Sequence, residues 1–295
     1  MSRFVSIPTS NAGMNFFPQH MMDLYKAITF TGEGKTMMFF SMGIMGVQMF
    51  QHAVLLATMR TESANSKAAG VTCLANALFW GFFVLSDGIM LTPLGTLPKW
   101  FPKEAIVGNC VLFSVVAGVN LAGWIDAGKP LPELTKGMIP TGVLSKPLIA
   151  LAFNLSFFAV GCAFFTGPMI DQFLPGVMKK FKPDVVSAIF LIMGNAGKMM
   201  LLNIASMMMI VSAEPGDADT NYRVLRSWVY VTFFYMGRFA CEEVVSSATG
   251  WPSPMRVQSF VSCFAVLFYG ATALGDHQIT VSKTGRTTKS KSKSK

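Results

Sequence analysis

The chain has 295 residues, 52% of them hydrophobic and only 13% charged, with a mean hydropathy of +0.48 and heavy use of Phe (26) and Met (22). That charge share is about half the usual one for a soluble domain, which excludes a disordered chain, a disulfide-stapled mini-protein and an ordinary soluble enzyme. The formal charge of +9 is concentrated at one end. Lys283, Arg286, Lys289, Lys291, Lys293 and Lys295 follow one another without an acid between them.

The chain reads as an all-α, polytopic membrane helix bundle, because about twenty apolar residues cross a bilayer as a helix. The expected organisation is an N-terminal segment (1–36), a bundle of seven helices (37–275) joined by short loops, and a disordered Ser/Lys-rich tail (276–295). In the N-terminal segment, Phe16, Phe17, Met21, Met22, Leu24, Tyr25 and Ile28 alternate with Gln19, His20, Asp23 and Lys26, a pattern that suits a helix lying in the interface. Ser2 to Gln19 is mixed and broken by Pro8 and Pro18, unlike a cleavable signal, so the first span is expected to direct insertion itself.

The first span is Met37–Met59. It carries Gln48 and His52 four residues apart on one face, with Gln51 beside them. The second, Ala68–Leu91, contains Asp87. The third is Ala105–Ile125 and the fourth Pro147–Ile170. The fifth, Val185–Ser212, holds Asn195, Lys198, Asn203 and Ser206 around Gly194 and Gly197, glycines that let helices approach closely. Ala213 to Arg223 then reads as an acidic loop.

The sixth, Arg226–Thr249, is polar for a span. Tyr235, Arg238, Glu242 and Ser246 share one helical face, with Glu243 alongside. If this stretch lies flat, the bundle has six spans and both termini share a side. The seventh span is Val257–Leu274, and the tail that follows cannot build a core. Its cations are expected to meet anionic lipid headgroups. Without aromatics to stack on bases, it is not expected to bind nucleic acid.

Charges inside spans are costly and point to function by default. Asp87, Lys198, Arg238, Glu242 and Glu243 are such charges, two cations against three acids. One acid is left without a partner and, in an apolar site, is expected to be neutral, the minimal part of a proton-coupled carrier. His52 adds a group that titrates near neutrality. The same charges also suit structural pairing between helices.

The five cysteines (Cys73, Cys110, Cys162, Cys241, Cys263) lie in apolar stretches without metal-ligand spacing and read as small hydrophobes. No P-loop, zinc-protease motif or nucleophile elbow is present, so neither an enzyme nor a cofactor is expected. The expected function is a small channel or secondary transporter with an intramembrane polar stripe. The rival is a non-catalytic accessory subunit of a larger membrane complex; a third reading, a membrane-embedded enzyme acting on lipid, needs a convergent acid–base or metal constellation that the sequence does not display, and the partners expected are lipids and a homo-oligomer or larger membrane complex.

Overall fold

The computed structural model describes residues 32–60, 66–93, 103–133, 158–173, 183–215, 217–247 and 267–278, with isolated positions between them; the side chains of 32–43 and 234–247 lie outside that description. The described residues are mostly helical, with no strand among them. The named helices are α1 (Gly32–Met59), α2 (Lys67–Met90), α3 (Lys103–Asp126), α4 (Thr166–Phe173), α5 (Pro183–Val211) and α6 (Ala218–Ser247). Residues 158–164 and 267–278 are helical as well.

Among the described residues three helices are long and apolar enough to cross a membrane: α2, α3 from Ile106 to Asp126, and α5 from Ile189 to Val211. They match the second, third and fifth expected spans within two residues at each end. The expected count of seven is not supported among the described residues. In α1 the described apolar stretch is Ile44–Met59, shorter than a bilayer crossing. The fourth expected span is interrupted. Helix 158–164 stops at Phe165 and α4 begins at Thr166. Pro168 causes the break, because it has no N–H for the carbonyl of Phe164 and its ring crowds that carbonyl. Thr166 Oγ1 instead donates to the Cys162 carbonyl at 2.6 Å. Residues 147–151 and 257–262 lie outside the described set.

The sixth expected span is a helix, but it starts eight residues early, at Ala218, and is not among the three helices long and apolar enough to cross a membrane. Asp217 is the cause. Its Oδ2 accepts from the Thr220 backbone N–H at 2.9 Å and from the Thr220 hydroxyl at 2.6 Å. The acidic loop therefore ends in a helix N-cap, and Asp219 falls in the first turn. Residues 267–278 continue as helix past the expected start of the tail at 276. His277 Nε2 sits 3.4 Å from Asp219 Oδ1, and Gln278 Nε2 donates to the Tyr222 hydroxyl at 2.9 Å, docking this segment on α6. The interfacial helix and the basic residues 283–295 lie outside the described residues.

α5 is the central element and packs against α1, α2, α4 and α6. One cluster joins Leu55 and Met59 of α1, Ala68 and Val71 of α2, Met207 and Ile210 of α5, and Leu225 and Trp228 of α6. A second joins Ile44, Cys162, Met169, Ile189 and Ala196. Gly197 permits backbone contact between α5 and helix 158–164, since a Cβ there would lie 2.8 Å from the Ala159 carbonyl and collide with the Ala163 nitrogen. This is the close approach expected of that glycine.

Loop 127–133 staples one end of the bundle. Trp124 Nε1 donates to the Pro130 carbonyl at 2.8 Å, the Glu133 N–H donates to the Ser212 carbonyl at 2.7 Å, and Lys67 Nζ pairs with Glu133 Oε1 at 2.7 Å. The turn into this loop uses Gly128 at φ +81°, a conformation open to glycine.

Candidate functional site

The helices α1, α2 and α5 bring their polar residues to a common seam. Helical spacing sets this up on each element. On α1, Gln48, His52, Leu55 and Met59 share a face. On α2, Thr72, Asn76, Phe79, Phe83 and Asp87 do the same and are all buried. On α5, Met199, Asn203 and Ile210 face the core.

At the centre lies His52, 3% exposed, between two carboxamides. Its Nδ1 is 3.1 Å from Asn203 Oδ1 and its Nε2 is 2.6 Å from Asn76 Oδ1. Asn203, with 0% exposure, donates through Nδ2 to the Gln48 backbone carbonyl at 2.9 Å and lies 3.3 Å from Gln48 Oε1. Three helices are thus tied through one imidazole. Phe79 stacks on the ring, with centroids 3.8 Å apart and planes 14° apart, and Trp80 stands edge-on at 6.2 Å. Buried polar groups hold their place only when bonded, and both nitrogens of this ring are. Gln51 lies one step round α1 with its Nε2 buried and unbonded among the described residues.

A second polar layer lies about 16 Å further along α2 at the helical rise. Asp87 is 6% exposed and hydrogen-bonds Asn109 of α3, with the positive charge of Lys198 on α5 acting on it. Between the two layers Phe79, Phe83 and Met199 form a buried apolar cluster, with Trp80 and Phe113 packed against it. The arrangement is polar, aromatic, polar along one face of α2.

Of the residues expected from sequence, the structure therefore joins Gln48 and His52 in one network and sets Asp87 beside the charge of Lys198. Tyr235, Arg238, Glu242, Glu243 and Ser246 lie on the helical backbone of α6 that their spacing requires, and their side chains are outside the described residues. Sequence reasoning missed Asn76. Its signal is the buried face it shares with Asp87, which a search for charges passes over. Asn203 is one of the amides beside Gly194 and Gly197, and its part in the imidazole network appears only when α1 and α5 are placed together.

No family model, curated protein or solved structure matches this chain. Its function must be argued from the site alone.

Among the described residues no three His, Cys, Asp or Glu side chains converge as a metal site. Cys73, Cys110, Cys162 and Cys263 are free thiols. Outside the apolar helices, burial opposes the charge on Asp217, but the Thr220 hydroxyl and N–H, the Asp219 N–H and the nearby charge of Arg223 together hold its carboxyl below the usual carboxylate range.

Proposed function

We propose that this chain is an integral membrane protein acting as a small channel or secondary transporter, with its path running along the seam of α1, α2 and α5. The observation that carries this reading is the stacking of two polar layers, buried His52 with its amides and buried Asp87 with Asn109 under the charge of half-buried Lys198, on either side of the Phe79–Phe83 plug. Two buried titratable groups along one seam, His52 on α1 and Asp87 on α2, are more than packing requires, and in lipid such groups cost several kilocalories unless they are used or paired. An aromatic layer between them is the barrier that keeps a path closed at rest. The polar face of α6 with Arg238, Glu242 and Ser246 extends the same reading. Seven spans remain our proposal for the intact bundle, with the basic tail resting on anionic headgroups.

The second reading, an accessory subunit of a larger membrane complex, draws on α3. Only 6% of its apolar window is buried, and Val107, Val111, Val115 and Val119 form an exposed stripe at helical spacing. Such a face meets either lipid or another subunit.

One experiment separates the two readings. The protein is reconstituted in liposomes and flux is followed under an imposed pH or ion gradient. Transport predicts measurable flux that His52→Gln and Asp87→Asn each reduce at least tenfold, about the effect of 1.4 kcal/mol, while insertion is retained. Absence of flux from the pure wild-type chain favours the subunit.

A further inference from the structure

We propose that His52 is a single-proton binding site in which Nδ1 always carries a hydrogen, Nε2 alone takes up and releases the proton, and the Asn76 carboxamide turns over to follow it. The inference deepens the transport reading and rests on it for what the proton drives.

The lock on Nδ1 comes from Asn203. A backbone carbonyl can only accept, so the Gln48 carbonyl at 2.9 Å must face the NH₂ end of the Asn203 carboxamide. The Gln48 Oε1 at 3.3 Å faces the same end. The oxygen of Asn203 then faces His52 Nδ1 at 3.1 Å, and that nitrogen has to donate. Amide orientation at such a site is a consequence of the network, and here the network leaves one choice.

Asn76 is different. Among the described residues its carboxamide makes no hydrogen bond besides the one to His52 Nε2. With Oδ1 at 2.6 Å it accepts from Nε2–H, and the ring is then the imidazolium. Turned over, its NH₂ donates to a bare Nε2, and the ring is neutral. The same cage of heavy atoms offers Nε2 a partner in both protonation states, and since the far end of the Asn76 carboxamide has no partner among the described residues, turning it over breaks no other hydrogen bond. Phe79 stacks on the ring at 3.8 Å and holds its plane.

No charged group among the described residues bonds the ring. From α2 it meets Asn76, Phe79 and Trp80, and from α5 Asn203. The charges on those helices are Asp87 and Lys198 in the layer beyond the aromatic plug, Lys67 at the start of α2 and Asp184 in the first turn of α5; α6 carries Asp219, Arg223 and Arg226 in its first turns. Uptake adds one proton from water to Nε2 and one positive charge to the ring. No other bond breaks and nothing is oxidised.

The test is ¹⁵N magic-angle NMR of histidine-labelled full-length protein in phosphatidylcholine vesicles, with His20→Gln and His277→Gln leaving His52 as the one labelled ring. The pH is varied over about three units either side of the ordinary histidine value of about 6.5. The expected result is an Nδ1 resonance that keeps its N–H shift throughout and an Nε2 resonance that moves between the bare and the protonated shift. In Asn203→Leu the neutral ring loses its lock, and the Nε2–H form appears. A wild-type ring neutral as Nε2–H, or one whose Nε2 does not change across the range, overturns the proposal. The two readings fail separately. A titrating Nε2 in a chain without flux overturns transport and sustains the proton site, whereas flux with a silent ring does the reverse.

Discussion

At the level of single residues, two polar positions with defined partners illustrate opposite uses. His52 is held by two carboxamides on two other helices, so its neighbours decide which nitrogen carries hydrogen. Asp217 sits at the mouth of α6, where it accepts from the Thr220 N–H and hydroxyl. Asp217→Ala removes an N-cap worth about 1 kcal/mol and is expected to speed hydrogen exchange at the first-turn amides of α6, Thr220 above all. Because the Asp217 carboxyl is held below the usual carboxylate range, its contribution is complete above the ordinary aspartate value of about 3.9. It fades as the pH falls through the lower folded value. Unchanged exchange at Thr220 in the variant would remove Asp217 from the account of α6.

Among the elements, α5 is the one on which the others depend, and its small residues decide how closely they approach. A methyl group on Gly197 meets the backbone of helix 158–164. Gly197→Ala is expected to lower stability by about 1–3 kcal/mol, the usual cost of overpacking, and to lower the midpoint of thermal unfolding in detergent. Gly118→Ala on α3 is the matched control. Nothing lies within 4 Å of its added carbon, and alanine favours the helix. Equal midpoints for the two variants would contradict the close approach.

The elements also show why part of the fold was legible beforehand. α2, α3 and α5 are long apolar runs bounded by Pro, Gly or polar residues, and composition alone delimits them. The interruption at Phe165 was not seen, because Pro168 sits in a run whose hydropathy is continuous. The start of α6 was misplaced for the converse reason. Its first turns are polar, and Asp217 works through local hydrogen bonds that a hydropathy reading does not weigh.

For the whole molecule, the organising feature is the seam among α1, α2 and α5. Half of the candidate site was legible there. Gln48, His52, Asp87 and Lys198 stand out as polar residues in apolar runs, and cost alone marks them. Asn76 and the role of Asn203 were not legible, because a carboxamide in a helix has no fixed meaning until its partner helix is known. The aromatic plug was hidden similarly, since Phe79 and Phe83 are two of 26 phenylalanines. Together these groups form polar, aromatic and polar layers, and the proposed transport requires that water reaches both polar layers.

Substituted-cysteine labelling tests that claim most directly. Thr72→Cys and Asp87→Cys, at either end of the buried face of α2, are introduced singly after the five native cysteines are replaced, and each variant is treated in sealed vesicles with a membrane-impermeant thiol reagent. The account predicts that both positions label, from opposite sides of the membrane, with the Phe79–Phe83 layer between them. Failure of both to label from either side, while a cysteine in loop 127–133 labels fully, would contradict it and leave the seam as packing between helices.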